Sequence, residues 1–176
     1  MHEHYEMGTH DRRSWHTHPM MQPDPTPVGW REWVGLPDWG VEAIKAKIDT
    51  GARTSALHAF DIELFDRDDE EWVRFAVQPW QRTDADVTVV EAVRVDHRTI
   101  TSSSGTRSDR PVVQACIELA GRRVDAEITL TRRDEMGFRM LIGREALAKG
   151  FIVDPAASYL GGRPSKAIRR RNRGRQ

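Results

Sequence analysis

The sequence predicts an all-β chain, a small closed barrel with one short helix near its C-terminal end. Three observations predict it. Short runs rich in Val, Ile and Thr recur from Trp30 to Leu130, turn signals separate them, and only one late segment carries helix signals. A parallel α/β sheet would instead need long helical patterns alternating with the strands.

Trp30 to Leu36 has the composition of a strand, ended by the turn signal Pro37-Asp38-Trp39-Gly40. Val41 to Ile48 follows as a second strand. Ile44, Ala46 and Ile48 share one face and Lys45 and Lys47 the other, the period of two of a half-buried strand. Phe60 to Phe65 and Glu71 to Val77 flank the acidic turn Asp66 to Glu70, which predicts a hairpin. Val87 to Val95 is rich in β-branched residues. Val112 to Leu119 and Val124 to Leu130 flank Ala120-Gly121-Arg122-Arg123, a second hairpin by its Gly-centred turn. The single helix is expected over Arg144 to Lys149, after Gly143 and closed by Gly150.

Length and charge divide the chain of 176 residues into three parts. Residues 1–27 hold five of the seven histidines and four prolines with almost no branched aliphatics, so a disordered arm is expected. Residues 28–162 form the domain. Residues 163–176 carry seven Lys or Arg and no acid, and are expected to be a second mobile segment. The chain as a whole has 27 basic and 27 acidic residues, so the remainder carries 20 basic against 27 acidic, a net of −7. The basic tail lacks interleaved aromatics and hangs from an acidic globule, so a solvated tail is favoured over a nucleic-acid contact. One cysteine, Cys116, excludes an intrachain disulfide and is expected to be a buried, inert thiol. No apolar run approaches the ~18 residues needed to cross a bilayer. No secretory signal pattern opens the chain, so a cytoplasmic protein is expected.

The chemistry centres on Asp49-Thr50-Gly51. Such a tripeptide is common turn material and arises roughly once per few thousand positions by composition alone. Its setting adds weight. It ends a hydrophobic strand, is followed by Ala52, and lies about 90 residues before Met140-Leu141-Ile142-Gly143-Arg144. The order of a hairpin, an Asp-Thr-Gly-Ala loop, several strands, a Gly/Ser loop, another hairpin, then two apolar residues and Gly is similar to the retropepsins, the dimeric aspartic proteases. Lys47 to His58, Phe138 to Arg144 and Val153 to Tyr159 further resemble a bacterial retropepsin-like family labelled ATP-dependent zinc proteases, which often accompanies ATP-grasp glutamate ligases.

The residues support neither half of that label. No G-x-x-x-x-G-K-[ST] loop is present, and His2-Glu3-His4-Tyr5-Glu6 fails the spacing of a zinc-binding helix. No cofactor and no metal site are therefore expected, and His58 and His97 are taken as packing or surface residues.

The resemblance implies a homodimer with one Asp49 from each subunit at the two-fold axis, hydrolysing a peptide or another amide. Thr50 would brace the two loops and Gly51 would let substrate approach the backbone. Ala52 and Arg53 would contact substrate, with Ser104 and Gly105 of the loop Thr101 to Thr106 as a closing flap. Leu141, Ile142, Gly143 and Arg144 would support the Asp loop from below. Retroviral enzymes carry acidic residues after Asp-Thr-Gly-Ala, whereas Arg53 and Thr54 stand here. A guanidinium there suits carboxylates, so an acidic, glutamate-rich peptide is one expected ligand. The plainer expectation is that Arg53 pairs with a structural acid such as Glu42 or Asp61. A non-catalytic binding module that partners an ATP-grasp ligase is the alternative function.

Overall fold

The computed structural model describes residues 24–101, 105, 107–132 and 137–175. The expected His-rich arm, up to residue 23, lies outside them. Ten strands and two short helices follow in order: β1 (Thr26–Gly29), β2 (Arg31–Leu36), β3 (Val41–Ile48), β4 (Ser55–Arg67), β5 (Glu70–Val77), β6 (Thr88–Thr101), β7 (Arg107–Leu119), β8 (Arg122–Thr131), β9 (Met140–Ile142), α1 (Arg144–Leu147), β10 (Phe151–Asp154) and α2 (Lys166–Arg171).

Eight strands run in the order β2-β3-β9-β4-β5-β6-β7-β8. Pairing of β2 with β7 and of β4 with β8 closes the sheet on itself. The all-β barrel expected from the sequence is therefore the observed fold. Closure leaves one interior, and Leu36, Ile44, Leu57, Phe75, Ile117, Leu119, Ile128 and Met140 fill it. The alternation in β3 is as expected, with Ile44, Ala46 and Ile48 buried and Lys47 exposed. Tight turns join the hairpins. Asp68 and Asp69 (φ 53° and 62°) connect β4 to β5, and Ala120 and Gly121 (φ 50° and 76°) connect β7 to β8. Both turns need positive φ at two successive residues, which matches the right-handed twist of paired strands.

Two strands, β1 and β10, escaped sequence reasoning because they are short and pair in parallel with each other across the chain. Four apolar-containing residues carry no period to detect. β1 also begins inside the segment expected to be disordered, which corrects that boundary by two residues, at Thr26 and Pro27.

The C-terminal segment also differs from expectation. α2 is six residues long, too short to persist alone in water. It persists by packing: Ile168 is buried against Ala43 and Trp80, with Trp33 alongside. Burying an isoleucine contributes about 1.5–3 kcal/mol, enough to outweigh the weak propensity of so short a helix. Ser165 caps it by accepting the Ile168 amide, and buried Asn172 accepts the Gln81 amide at 3.1 Å. A second helix therefore exists where one was expected. Cys116 is half-buried, not buried. Desolvation raises its thiol pKa, and the negative charges of Asp38 and Asp125 raise it further.

One buried charge ties the ends of the domain together. Glu32 is 1% exposed, and its carboxylate accepts the amides of Gly29 (2.6 Å), Leu160 (2.8 Å) and Gly161 (3.3 Å). Replacing it orphans three donors at once, so Glu32→Ala should lower unfolding free energy by roughly 3–4 kcal/mol. Urea denaturation checks this, and Glu32→Gln, which keeps one acceptor oxygen, should lose less.

Candidate functional site

The Asp49 loop is shaped by its own side chain. Asp49 follows directly on β3, and its Oδ1 accepts the amides of Gly51 (3.0 Å) and Ala52 (3.2 Å). The Ala52 amide also reaches the Asp49 carbonyl at 3.2 Å, so the turn is fixed twice. A side chain at Gly51 would begin 3.2 Å from Asp49 Oδ1, so the carboxylate would have to give way by a few tenths of an ångström. The other carboxylate oxygen lies 3.7 Å from Lys47 Nζ, and the Asp49 side chain is 27% exposed. Thr50 and Gly51 are exposed beside it.

The loop rests on β9, which inserts between β3 and β4. Asp49 N donates to the Ile142 carbonyl at 2.9 Å. Beyond it, the amides of Arg144 and Glu145 donate to the carbonyls of Ala52 and Arg53 at 2.8 and 3.1 Å. Gly143 sits where these lines cross. A Cβ there would stand 2.6 Å from the Thr54 carbonyl carbon and 2.8 Å from the Arg53 oxygen, so only glycine fits. Its amide donates to Ser55 Oγ at 3.2 Å. Arg144 reaches the Thr50 carbonyl at 3.4 Å. The residues expected in the loop, 49–53, and those expected beneath it, 141–144, thus meet.

A cleft of about 510 Å³ opens from Ala52. Arg53, Thr54 and Leu141 form its floor side. Thr99–Thr101 and Arg110, from the two arms of the β6–β7 hairpin, form the other. Gly105 is exposed at the tip of that hairpin with φ +83°, and Ser104 lies outside the described residues.

Three guanidinium groups line this cleft and no carboxylate does. Arg53 pairs with Glu145 at 2.7 Å, so its structural partner is neither Glu42 nor Asp61. That bond holds the Glu145 carboxyl below its ordinary range. Arg98 donates to Thr54 Oγ1 at 2.9 Å and pairs with Asp96 and Glu127. Partial burial alone would lower the Arg98 guanidinium, yet those two acids outweigh it and raise its pKa. Arg110 meets only Ser108 Oγ, at 2.8 Å, among the described residues, and burial lowers its pKa.

Sequence reasoning missed Arg98 and Arg110. The signal was available in the hairpin register, which sets Arg98 directly opposite Arg110. Like charges facing each other across two strands destabilise a sheet unless offset, and Asp96 and Glu127 beside Arg98 offset part of the charge. Finding it required the register, and both residues lie beyond the strands the sequence predicts, Val87 to Val95 and Val112 to Leu119. His58 is buried as a packing residue, and His97 is exposed beside Arg94. Among the described residues no group of three or more His, Cys, Asp or Glu converges to hold a metal ion, and the five N-terminal histidines lie outside them.

An Asp-Thr-Gly turn braced by an inserted apolar-apolar-Gly strand, inside a closed barrel with a long hairpin overhead, defines the retropepsin-like class. Comparison with known proteins agrees. The chain belongs to the RimB-like family, described as "Retropepsin-like aspartic endopeptidase RimB", whose model matches residues 27–164. It is 45% identical over 132 residues to a "Probable alpha-L-glutamate ligase" of Shewanella pealeana, covering 75% of this chain and 29% of that protein. A protein of the same description from Desulfotalea psychrophila is 43% identical over 139 residues, covering 79% of this chain and 30% of that one. The chain therefore spans less than a third of the curated relatives it matches. A solved structure from Legionella pneumophila, of a protein of unknown function, superposes with TM-score 0.67 at 28% identity, covering 77% of this chain and 98% of that one.

Two outcomes test this geometry. Gly143→Ala should destabilise the domain by about 1–3 kcal/mol, read from the urea midpoint, because backbone must move to admit the methyl group. The Arg53–Glu145 pair should make stability depend on acid. A carboxyl lowered in the folded state contributes stability above its unfolded value of 4.5 and loses it as pH falls through the folded value. Both groups are well exposed, so the effect is small. Between about pH 6 and pH 3, Glu145→Gln should lose less stability than the unaltered chain.

Proposed function

We propose that the protein is an aspartic-type peptidase or amide hydrolase, active as a homodimer and directed at acidic, glutamate-rich peptides. The observation that supports the reading is Asp49, fixed by the Gly51 and Ala52 amides, in a loop whose Ala52 borders a cleft lined by Arg53, Arg98 and Arg110.

Amide hydrolysis needs a base to activate water and an acid to protonate the leaving nitrogen. Two carboxylates about 3 Å apart can do both, since they share one proton. One chain supplies one such aspartate, so the second comes from the partner copy, with the exposed Thr50 side chains bracing the two loops. Asp49 of one subunit takes a proton from the water as its oxygen attacks the carbonyl carbon. Asp49 of the other, protonated, hydrogen-bonds the carbonyl oxygen. Collapse of the tetrahedral intermediate breaks the C–N bond, and the proton passes to the nitrogen. The hairpin arms would hold the peptide backbone, while Arg110, which meets no carboxylate among the described residues, would take a substrate carboxylate.

A second reading has its own support. The relatives carry this domain within longer proteins described as glutamate ligases. A non-catalytic module of this fold that partners an ATP-grasp ligase, in the cytoplasm, would account for that company.

Light scattering combined with a quenched-peptide assay separates the readings. The expected result is a dimer that cleaves glutamate-rich peptides, with activity abolished in Asp49→Asn, which keeps the Oδ1 acceptor and so the loop. Arg110→Ala should raise KM for acidic peptides about tenfold while leaving neutral peptides unaffected. A stable monomer, or cleavage indifferent to Asp49, would overturn the peptidase reading in favour of the binding module.

A further inference from the structure

Two concavities border α2 and share no residue with the Asp49 loop or its cleft. One, of about 370 Å³, is lined only by cations: Lys166, Arg169, Arg170, Arg173 and Arg175. The other, of about 610 Å³, shares Arg170 and Arg175 with it and extends to Thr83 and Asp86. We propose that this face binds the phosphate backbone of double-stranded RNA.

The first support is presentation. A solvated tail would spread its charges, but α2 is anchored by buried Ile168 and Asn172. Gly174 is also seated so close to Arg82 that a Cβ would stand 2.8 Å from its carbonyl oxygen. The cations are therefore fixed on one surface, their mutual repulsion included.

The second is the absence of neutralisation. Arg171 pairs with Asp86 at 3.3 Å and Arg163 stacks over Tyr159, but among the described residues none of the five lining cations meets a carboxylate. The Arg169 Nε is covered and has no hydrogen-bond partner among them. Lys166 and Arg170 stand four apart on α2, where like charges destabilise a helix. Lys166 also occupies the first turn, the positive end of the helix dipole. Bound polyanion relieves the like-charge repulsion and the unfavourable dipole.

The third is the kind of polyanion. Six of the seven basic residues are arginine, whose planar fork matches phosphate oxygens. No aromatic side chain lines either concavity, so nothing here stacks on unpaired bases, and backbone contact to a duplex remains. An extended acidic peptide offers one row of charges to a surface. The narrow, deep major groove of an A-form duplex offers two rows of phosphate close together, whereas that of B-DNA is about 12 Å wide. A tight cluster of five cations matches the former.

Fluorescence anisotropy of the full chain with a short labelled RNA duplex tests the proposal, with a DNA duplex of matched sequence and polyglutamate as comparators. RNA should bind more tightly than DNA, and five phosphate contacts should make affinity fall about 10²–10³-fold between about 50 and 200 mM salt. Arg170→Ala/Arg173→Ala/Arg175→Ala should weaken binding at least about tenfold and flatten the salt slope by about three. Should that variant misfold, Lys166→Gln/Arg170→Gln on the exposed side of α2 gives the same reading with a change of about two. The proposal is overturned by no binding at low salt, by equal affinity for DNA, by indifference to both variants, or by displacement of RNA by polyglutamate at equal charge. The last outcome would make the face an acidic-peptide site.

Discussion

Strand β9 is three residues long, yet much of the site hangs on it. Ile142 holds the Asp49 amide, Met140 and Leu141 pair with β4, and Met140 and Ile142 complete the core. A strand can enter between β3 and β4 only if the chain leaving it passes the backbone of Arg53 and Thr54 at contact distance. Gly143 permits that passage because it has no side chain to place. The barrel, the Asp49 turn and the start of α1 are consequently one object, and their geometry is set by close packing of backbone on backbone.

Electrostatics is layered over that frame in two separate places. The body of the chain is acidic, yet arginines gather in the cleft beside Asp49 and again around α2. The two clusters differ in how they are held. In the cleft, Arg53 and Arg98 are pinned by Glu145, Asp96 and Glu127, which fixes their positions while reducing their net charge. Around α2 the charges are held by the helix backbone and remain largely uncancelled. A pinned guanidinium suits a defined ligand geometry, and an uncancelled cluster suits a ligand bound through total charge.

Much of this was legible in the sequence. The closed β architecture followed from period-two runs and turn residues, and the Asp-Thr-Gly loop with its Leu-Ile-Gly support from spacing and resemblance. What stayed hidden depended on contacts between residues far apart in the chain. β1 and β10 have no local period, and each is defined by the other. α2 is recognisable only through the Trp80 and Ala43 surface that buries Ile168. Arg53 found Glu145, a residue 92 positions away, where local reasoning offered nearer acids. Arg98 and Arg110 became a pair only once their strands were in register.

The β6–β7 hairpin slips register between Arg94 and Asp96, near the point where its strands leave the packed wall of the barrel. A bulge bends a strand and concentrates its twist at one place. From Asp96 to Thr101 the arm extends about 17 Å, so a rotation of about 10° at the bulge displaces the far end by about 3 Å. That is more than half of the about 4.7–4.9 Å that separates paired strands. In mechanical terms the hairpin is a lever with its fulcrum at the bulge, and a small angular change there sets the height of the space above Ala52.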